Sequence, residues 1–401
     1  MSSEYLIWGD DPILMIPGPS ELHPRVRQVL GGRFYPHYGA EWGKIYVETT
    51  ELMKKIFKTR SEVIILATPG SVAVEMGIVN LANPGEKVVT IDNGFFGNRL
   101  TELAEYCGRK AVPVKADMGE VVNPERLKAV LDENKDARAL LVVQNESSTG
   151  IFNPVPEYMR IAKKYGLLTL VDAISSFGGA EMDVDGWGID FCIGYANKCL
   201  NSIPSAVPVA ISSEVWSRVE KGIVNPGTWF TNLKVWRHYI TEWSEMGHPF
   251  PTTVNTYSIL ALKEAAQVAL DEGLEKRYER HRRAAAATRA TLRQLGLPPL
   301  ARDEQYASPT LTAARMPPQL DGRSKELMKI LLTKHRIMIG GGLGPLSGRM
   351  IRVAHMGTTA SAKYLLPTLM AISSALRELG FVAEGGEVAA QVFTSVLSGA
   401  K

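Results

Sequence analysis

Cysteine is scarce in this chain: Cys107, Cys192 and Cys199 are the only three in 401 residues, and no two stand at a metal-ligand spacing. Two of them lie in or next to apolar runs, where a buried, reduced thiol is the ordinary state. A disulfide framework is therefore excluded, and a reducing, cytoplasmic setting is expected. Long hydrophobic runs are absent as well. No segment approaches the roughly 20 apolar residues that span a bilayer, and Met1–Tyr5 shows no basic region followed by an apolar one, so neither membrane insertion nor secretion is expected. The closing Leu397-Ser398-Gly399-Ala400-Lys401 does not carry the Ser-Lys-Leu peroxisomal address. Charge of one sign is also missing, since 45 Lys and Arg face 42 Asp and Glu with no block of either. That balance removes the long-range attraction that nucleic acid or an acidic membrane needs, and leaves small anions as the charged ligands to look for. No internal repeat appears, and His37, His248 and His355 have no metal-like spacing, so no metal is expected.

What the chain has is length and alternation. With 45% hydrophobic content it can bury a large core, and chains of this size divide into a large domain and a smaller one. Short apolar runs predict strands at 63–67, 87–92, 111–115, 139–143, 167–171, 191–195 and 207–211, with helical patterns at 71–81, 96–107 and 124–133 between them. This βαβ rhythm predicts an α/β fold with a mostly parallel sheet of about seven strands covered by helices. Ahead of it, residues 13–18 run into Pro17-Gly18-Pro19-Ser20, a turn whose prolines cannot continue a strand. Helical patterns then flank the polar aromatic loop Phe34-Tyr35-Pro36-His37-Tyr38-Gly39. A strongly helical stretch at 274–295, stopped by Gly296, marks a change of style. Beyond it, segments 309–315, 337–340 and 350–353 predict a smaller sheet, with helices at 324–335 and 360–379 packed on it. The expected division is an N-terminal segment (1–20), a large domain (21–285) and a small α+β domain (286–401).

The chemistry centres on Asp172 and Lys198. Leu168-Thr169-Leu170-Val171-Asp172 is an apolar strand that delivers one carboxylate to its C-terminal tip. A second strand delivers Lys198, in Ala196-Asn197-Lys198-Cys199, 26 positions later. Taken singly, they are a strand-end cap and a solvated lysine. Together, on the edge where open α/β sheets bind ligands, they have the layout of a pyridoxal phosphate site. The amine forms a Schiff base, and the anion keeps the pyridine nitrogen protonated so that the ring accepts electrons. Thr68-Pro69-Gly70-Ser71, at a strand–helix junction on the same edge, turns N–H groups and the positive end of a helix dipole toward a phosphate. Alone, Gly-Ser at a helix start is usually only a cap. Phe96, in Asn93-Gly94-Phe95-Phe96-Gly97, is placed either to stack on a flat ring or to fill a core. The hydroxyls of Glu146-Ser147-Ser148-Thr149-Gly150 either bond a cofactor oxygen or end the strand as a polar turn. Arg349-Met350-Ile351-Arg352 places two guanidinium groups on one predicted strand. Arg352, deeper in the apolar segment, is the candidate for a bidentate pair with a substrate carboxylate, a surface ion pair being the alternative. The glycine-rich run at 340–345 suits a mobile loop that closes over substrate.

Together these residues resemble the class V aminotransferases of pyridoxal phosphate fold type I, and most closely the alanine–glyoxylate and serine–glyoxylate group. The resemblance spans nearly the whole chain, from Pro17-Gly18-Pro19 through Glu146–Gly150 and Val171-Asp172 to Gly341-Gly342-Leu343-Gly344-Pro345 and Arg352. It implies that Lys198 carries the cofactor, Asp172 pairs with the ring nitrogen and Phe96 stacks on the ring. Gly70 and Ser71 then form the phosphate turn, Ser147 and Asn197 contact the cofactor, and Arg352 holds the substrate carboxylate, with Gly18, His37 and Phe250 around the substrate. It also implies a homodimer in which Thr253 reaches the partner's phosphate. Phe250 stands where alanine–glyoxylate enzymes usually have a tyrosine, which removes one phosphate hydrogen bond. Asn197 replaces a glutamine or histidine, so that Ala196-Asn197-Lys198-Cys199 is similar instead to aminoethylphosphonate–pyruvate and pyridoxamine–pyruvate aminotransferases. Pro69 and Leu343 take the places of the pyridoxamine enzyme's glutamate and second arginine, which ranks that activity lower. The expectation is transamination from alanine or serine to glyoxylate or pyruvate, because Arg352 offers one clamp and no second basic residue is clearly placed for a dicarboxylate. A cysteine desulfurase needs a thiol on a mobile loop, and no cysteine follows Cys199. A non-catalytic pyridoxal-binding regulator needs an attached partner or DNA-binding module, and none is visible.

Overall fold

The computed structural model describes residues 11–381 and 384–399, so the first ten residues of the expected N-terminal segment and the last two of the chain lie outside the described part. A short strand, β1 (Ile13–Met15), precedes helices α1 (Pro24–Leu30) and α2 (Ala40–Phe57). Strands and helices then alternate through β2 (Glu62–Leu66), α3 (Gly70–Leu81), β3 (Lys87–Asp92), α4 (Phe95–Tyr106), β4 (Lys110–Lys115), α5 (Pro124–Glu133) and β5 (Ala139–Val143). A small hairpin, β6 (Asn145–Glu146) and β7 (Ile151–Phe152), comes before α6 (Val155–Lys164), β8 (Leu168–Asp172), α7 (Val184–Trp187), β9 (Phe191–Ile193) and β10 (Val207–Ile211). Helices α8 (Ser213–Glu220), α9 (Leu233–Glu242), α10 (Thr256–Glu272) and α11 (Leu274–Gln294) follow. The last elements are β11 (Leu311–Arg315), α12 (Ser324–His335), β12 (Ile337–Gly341), β13 (Met350–Ala354), α13 (Ala362–Glu378) and α14 (Gly386–Ser398).

Seven strands form one sheet in the order β2-β10-β9-β8-β5-β3-β4. It is parallel except at β10, which runs antiparallel to both neighbours. The mostly parallel seven-stranded sheet expected from the sequence is borne out. β5 is buried at every position, as a strand covered on both faces must be, and that is why it reads as an unbroken apolar run. Some strand ends differ from expectation. β9 stops at Ile193 rather than at 195: Gly194 N–H still reaches Pro208 O at 2.9 Å, but Pro208 has no N–H to return. In the run at 13–18 the strand ends at Met15, just ahead of the proline turn that was expected to stop it. Helices α8 and α9 had no counterpart in the expected pattern, because they are short and are announced mainly by their caps, Ser212 on Val215 N–H and Asn232 on Lys234 N–H.

The second sheet has the order β1-β12-β13-β11. β1 pairs parallel with β12, Ile13 opposite Ile337, so the first strand of the chain completes the sheet formed by its last ones. The chain then returns to the large sheet as a strap. Ser20 N–H bonds Asn197 O at 3.1 Å and Ser20 Oγ donates to Lys198 O at 2.6 Å. One core surrounds the large sheet and another the small one, where Met15, Ile337, Ile351 and Leu369 pack with Ala284, Ala287 and Leu292 of α11. The same helix grips the large sheet's active edge through Arg277, which donates to Gly178 O at 2.7 Å and pairs with Glu272 at 2.6 Å. Its His281 accepts Gly357 N–H at 2.9 Å. Among the described residues no helix is long and apolar enough to cross a membrane, and no cluster of metal-ligating side chains is present.

Candidate active site

At the C-terminal edge of the large sheet, strand ends and helix starts enclose a cavity of about 260 Å³. The first turn of α3 forms part of its wall. Pro69 caps this helix without a side-chain hydrogen bond, and no acidic residue stands in the first turn, so the positive end of the helix faces the cavity uncompensated. Thr68 Oγ1, just ahead of it, is buried without a hydrogen-bond partner. At position 70 a Cβ would lie 2.7 Å from Ile174 Cδ1, so glycine there leaves that side chain undisturbed.

β8 carries Asp172 to the cavity, where the carboxylate accepts Ile174 N–H at 2.9 Å. Burial raises its pKa to about 6; the Ile174 N–H opposes that rise, the Glu146 charge adds to it, and Lys198 and Arg99 oppose it. Lys198 lies in the turn after β9 and donates from Nζ to Pro17 O of the strap. Burial lowers its pKa to about 8, with Arg352 acting in the same direction and Cys199 and Asp172 against it. Part of the amine is thus neutral near physiological pH. Gly18 faces it at φ +105°, and a Cβ there would collide with Nζ.

Arg352 sits inside β13 with 8% exposure, its guanidinium donating from Nε to Gly341 O at 2.8 Å and from Nη1 to Ser147 O at 3.0 Å. A strand of the small sheet is thereby fastened to a turn of the large one. Burial lowers its pKa to about 10, with the Glu146 charge opposing, so it remains a cation. Phe96 stands edge-on to Phe95 at 5.5 Å, and the Arg99 guanidinium lies 4.8 and 5.1 Å from the centroids of Phe95 and Phe96. Asn145 and Asn197 each keep a buried Oδ1 without a partner.

Of the residues singled out in the sequence, Gly70, Ser71, Phe96, Ser147, Asp172 and Lys198 line this one cavity. Gly18 and Arg352 join them through Lys198 and Ser147, and Asn197 through the strap. His37 and Phe250 are not brought there within one chain. His37 packs on His248, 5.4 Å between ring centroids, while Phe250 is fully buried between Tyr46 at 5.2 Å and His248 at 4.5 Å. An aromatic cluster takes both rings, so neither lines this cavity within one chain. Thr253 is exposed on the surface. Arg99 and Glu146 escaped sequence-based expectation. Arg99 follows Phe96 by one helical turn, so helix periodicity finds it, and it is a second guanidinium on the cavity wall. Glu146 opens the motif whose hydroxyls drew the attention, and nothing in that polar run marks it as fully buried.

Residues 28–359 match the family model described as aminotransferase class-V. The chain belongs to the class-V aminotransferases. This aminotransferase is 34% identical over 383 residues to an uncharacterized aminotransferase of Methanocaldococcus jannaschii, covering 95% of this chain and 97% of that one. It is 28% identical over 369 residues to the alanine–glyoxylate aminotransferase of Callithrix jacchus, covering 91% and 87% respectively. The crystal structure of ureidoglycine–glyoxylate aminotransferase from Bacillus subtilis matches it with a TM-score of 0.89 at 28% identity, over 96% of this chain and 98% of that one. The class V, fold type I resemblance is borne out. As a member of that family, the aminotransferase exchanges an amino group and a carbonyl oxygen between an amino acid and an oxo acid.

Proposed function

We propose that this aminotransferase binds pyridoxal phosphate in the cavity at the edge of the large sheet and moves the amino group of a small donor, alanine or serine, onto glyoxylate or pyruvate. The observation that carries the reading is Asp172 and Lys198 on one cavity whose wall holds an uncompensated helix start. The residues fit the cofactor: an amine of lowered pKa, a buried carboxylate, an anion-binding helix start and an aromatic wall. The unpartnered Thr68 Oγ1, Asn145 Oδ1 and Asn197 Oδ1 add buried polar atoms that a polar ligand would satisfy.

When bound, the cofactor supplies an electron-poor ring that stabilises the negative charge left on the donor's α carbon. The chain's own residues do the rest. Gly70 and Ser71 would hold the phosphate with backbone N–H and hydroxyl groups, Phe96 would cover the ring, and an ionised Asp172 would pair with the ring nitrogen. Lys198 holds the cofactor and, once its amine is released, takes the proton from the donor's α carbon. Pro17 O is the acceptor waiting for that amine. Arg352 is oriented by Gly341 O and Ser147 O and keeps further N–H groups for a substrate carboxylate.

Similarity to two glyoxylate enzymes supports a small oxo acid as acceptor. Arg99 adds a second cation, but its place against Phe95 and Phe96 is that of a ring support. On this reading a second copy completes the site as a homodimer, with Thr253 lent to the partner's phosphate. The exposed Tyr38, Val47, Trp229 and Met246 supply apolar surface for such pairing. Of the described residues, 11–20 then act as the strap segment, those in 21–285 as the cofactor domain and those after 285 as the domain that closes on substrate. The three free cysteines suit a cytoplasmic setting.

A donor-by-acceptor screen tests the assignment, with alanine, serine, 2-aminoethylphosphonate and pyridoxamine against glyoxylate, pyruvate and 2-oxoglutarate. Alanine or serine with glyoxylate or pyruvate is expected to give most product. Strong turnover of 2-oxoglutarate with none of the smaller acids refutes the acceptor. A cofactor absorbance unchanged by every amine points to a pyridoxal-binding regulator instead.

A further inference from the structure

Behind the cavity wall, between the lining residues Asn145 and Ser147, lies a fully buried carboxylate to which no role has been given. Glu146, at the end of the hairpin strand β6, has 0% exposure. Its Oε2 accepts the N–H groups of Phe96 at 3.0 Å and Gly97 at 2.8 Å, and its Oε1 accepts Ser148 N–H at 3.0 Å and the Ser148 hydroxyl. The Ser148 hydroxyl in turn accepts Phe95 N–H at 2.9 Å, which ties a third backbone amide of that helix start to the same pair. Every one of the four partners donates. That set favours an ionised carboxylate and opposes the burial that pushes the pKa up.

An ordinary helix of this kind is capped by its own N-cap side chain. Here the N-cap is Gly94, where a Cβ would lie 2.5 Å from Glu146 Cδ. The missing side chain makes room for a carboxylate that comes from a different strand end. The first turn of α4 and the turn Ser147–Ser148 are consequently built on one anion. Phe96 belongs to the first, and the second presents the carbonyl that orients Arg352.

We propose that Glu146 is a positioning residue that sets the ring-facing Phe96 and the carboxylate-binding Arg352 relative to each other through the two turns its carboxylate joins. This rests on the cofactor and substrate reading above, and it predicts that the two binding functions fail together. A helix cap acting only on stability would leave both unchanged.

The test compares the wild-type protein with Glu146→Gln and Ser148→Ala. Pyridoxal phosphate affinity is read by visible absorbance and circular dichroism, and KM and kcat are measured for the oxo acid. Glutamine sets an amide N–H₂ against two of the donors, so the expected result is a cofactor dissociation constant and an oxo-acid KM each raised on the order of tenfold. Ser148→Ala, which keeps the carboxylate, is expected to raise both by less. A Glu146→Gln protein that melts lower but keeps wild-type affinity and KM overturns the proposal. If Glu146→Gln does not fold, Ser148→Ala decides alone, and unchanged constants in it overturn the proposal. A wild-type protein that takes up no pyridoxal phosphate sinks the functional reading, and this inference with it.

Discussion

Lys198 and Asp172 are each held where their charge is disfavoured. For Lys198 the folded pKa is lowered from 10.5 to about 8, so its destabilising contribution is complete below about pH 8 and fades as pH rises toward 10.5. For Asp172 the folded value is raised from 3.8 to about 6, so its contribution is complete above pH 6 and fades as pH falls toward 3.8. Near neutrality both act at once. At 1.36 kcal/mol per unit, the lysine alone costs on the order of 3 kcal/mol. Removing that charge is therefore expected to stabilise the cofactor-free chain. Lys198→Met should melt several degrees above the wild type at pH 7, with the gap closing as pH approaches 10. A variant that melts at or below the wild type at pH 7 contradicts the buried-amine account.

Among the elements, the strap between β1 and Ser20 has the sharpest consequence. It starts in the small sheet and ends against the Lys198 turn, and its Gly18 leaves the space in which the amine rests. Gly18→Ala places a methyl group against Nζ and strains a left-handed backbone by about 1–2 kcal/mol. The expected outcome is a fold intact by far-ultraviolet circular dichroism with kcat/KM reduced at least tenfold; wild-type kcat/KM removes the strap from the mechanism. The pairing of β1 with β12 was not legible in the sequence, because an Ile-Leu-Met strand says nothing about which distant strand it joins. Legibility followed punctuation. Lys87–Asp92, Pro124–Glu133, Ala139–Val143, Val207–Ile211 and Ser324–His335 could be read to the residue, each bounded by caps, turns or charges. The strand-end pair Asp172 and Lys198 was legible for the same reason, as each ends or follows an apolar run. Glu146 was not, since its burial comes from the folding of α4 against a neighbouring turn. The grouping of His37 with Phe250 was not legible either, because His248 and Tyr46, far apart in sequence, gather them into one aromatic cluster.

At the scale of the whole molecule, the two sheets meet beside the cavity through Arg352, the strap and α11, so the contacts that join the sheets also border the proposed site. The proposed dimer extends that sharing to a second chain. If Thr253 serves the partner's phosphate, Lys198→Ala and Thr253→Ala are each inactive or weak alone, whereas a mixture refolded together regains up to about a quarter of wild-type activity from hybrids with one intact site. A mixture no better than its components places Thr253 outside the partner's site. The central claim is the covalent attachment of the cofactor at Lys198, and its most direct test is borohydride reduction of the pyridoxal phosphate-loaded protein followed by peptide mass mapping. A pyridoxyl group on the Lys198 peptide alone is the predicted result, and an unlabelled Lys198 or a label on a different lysine contradicts the account.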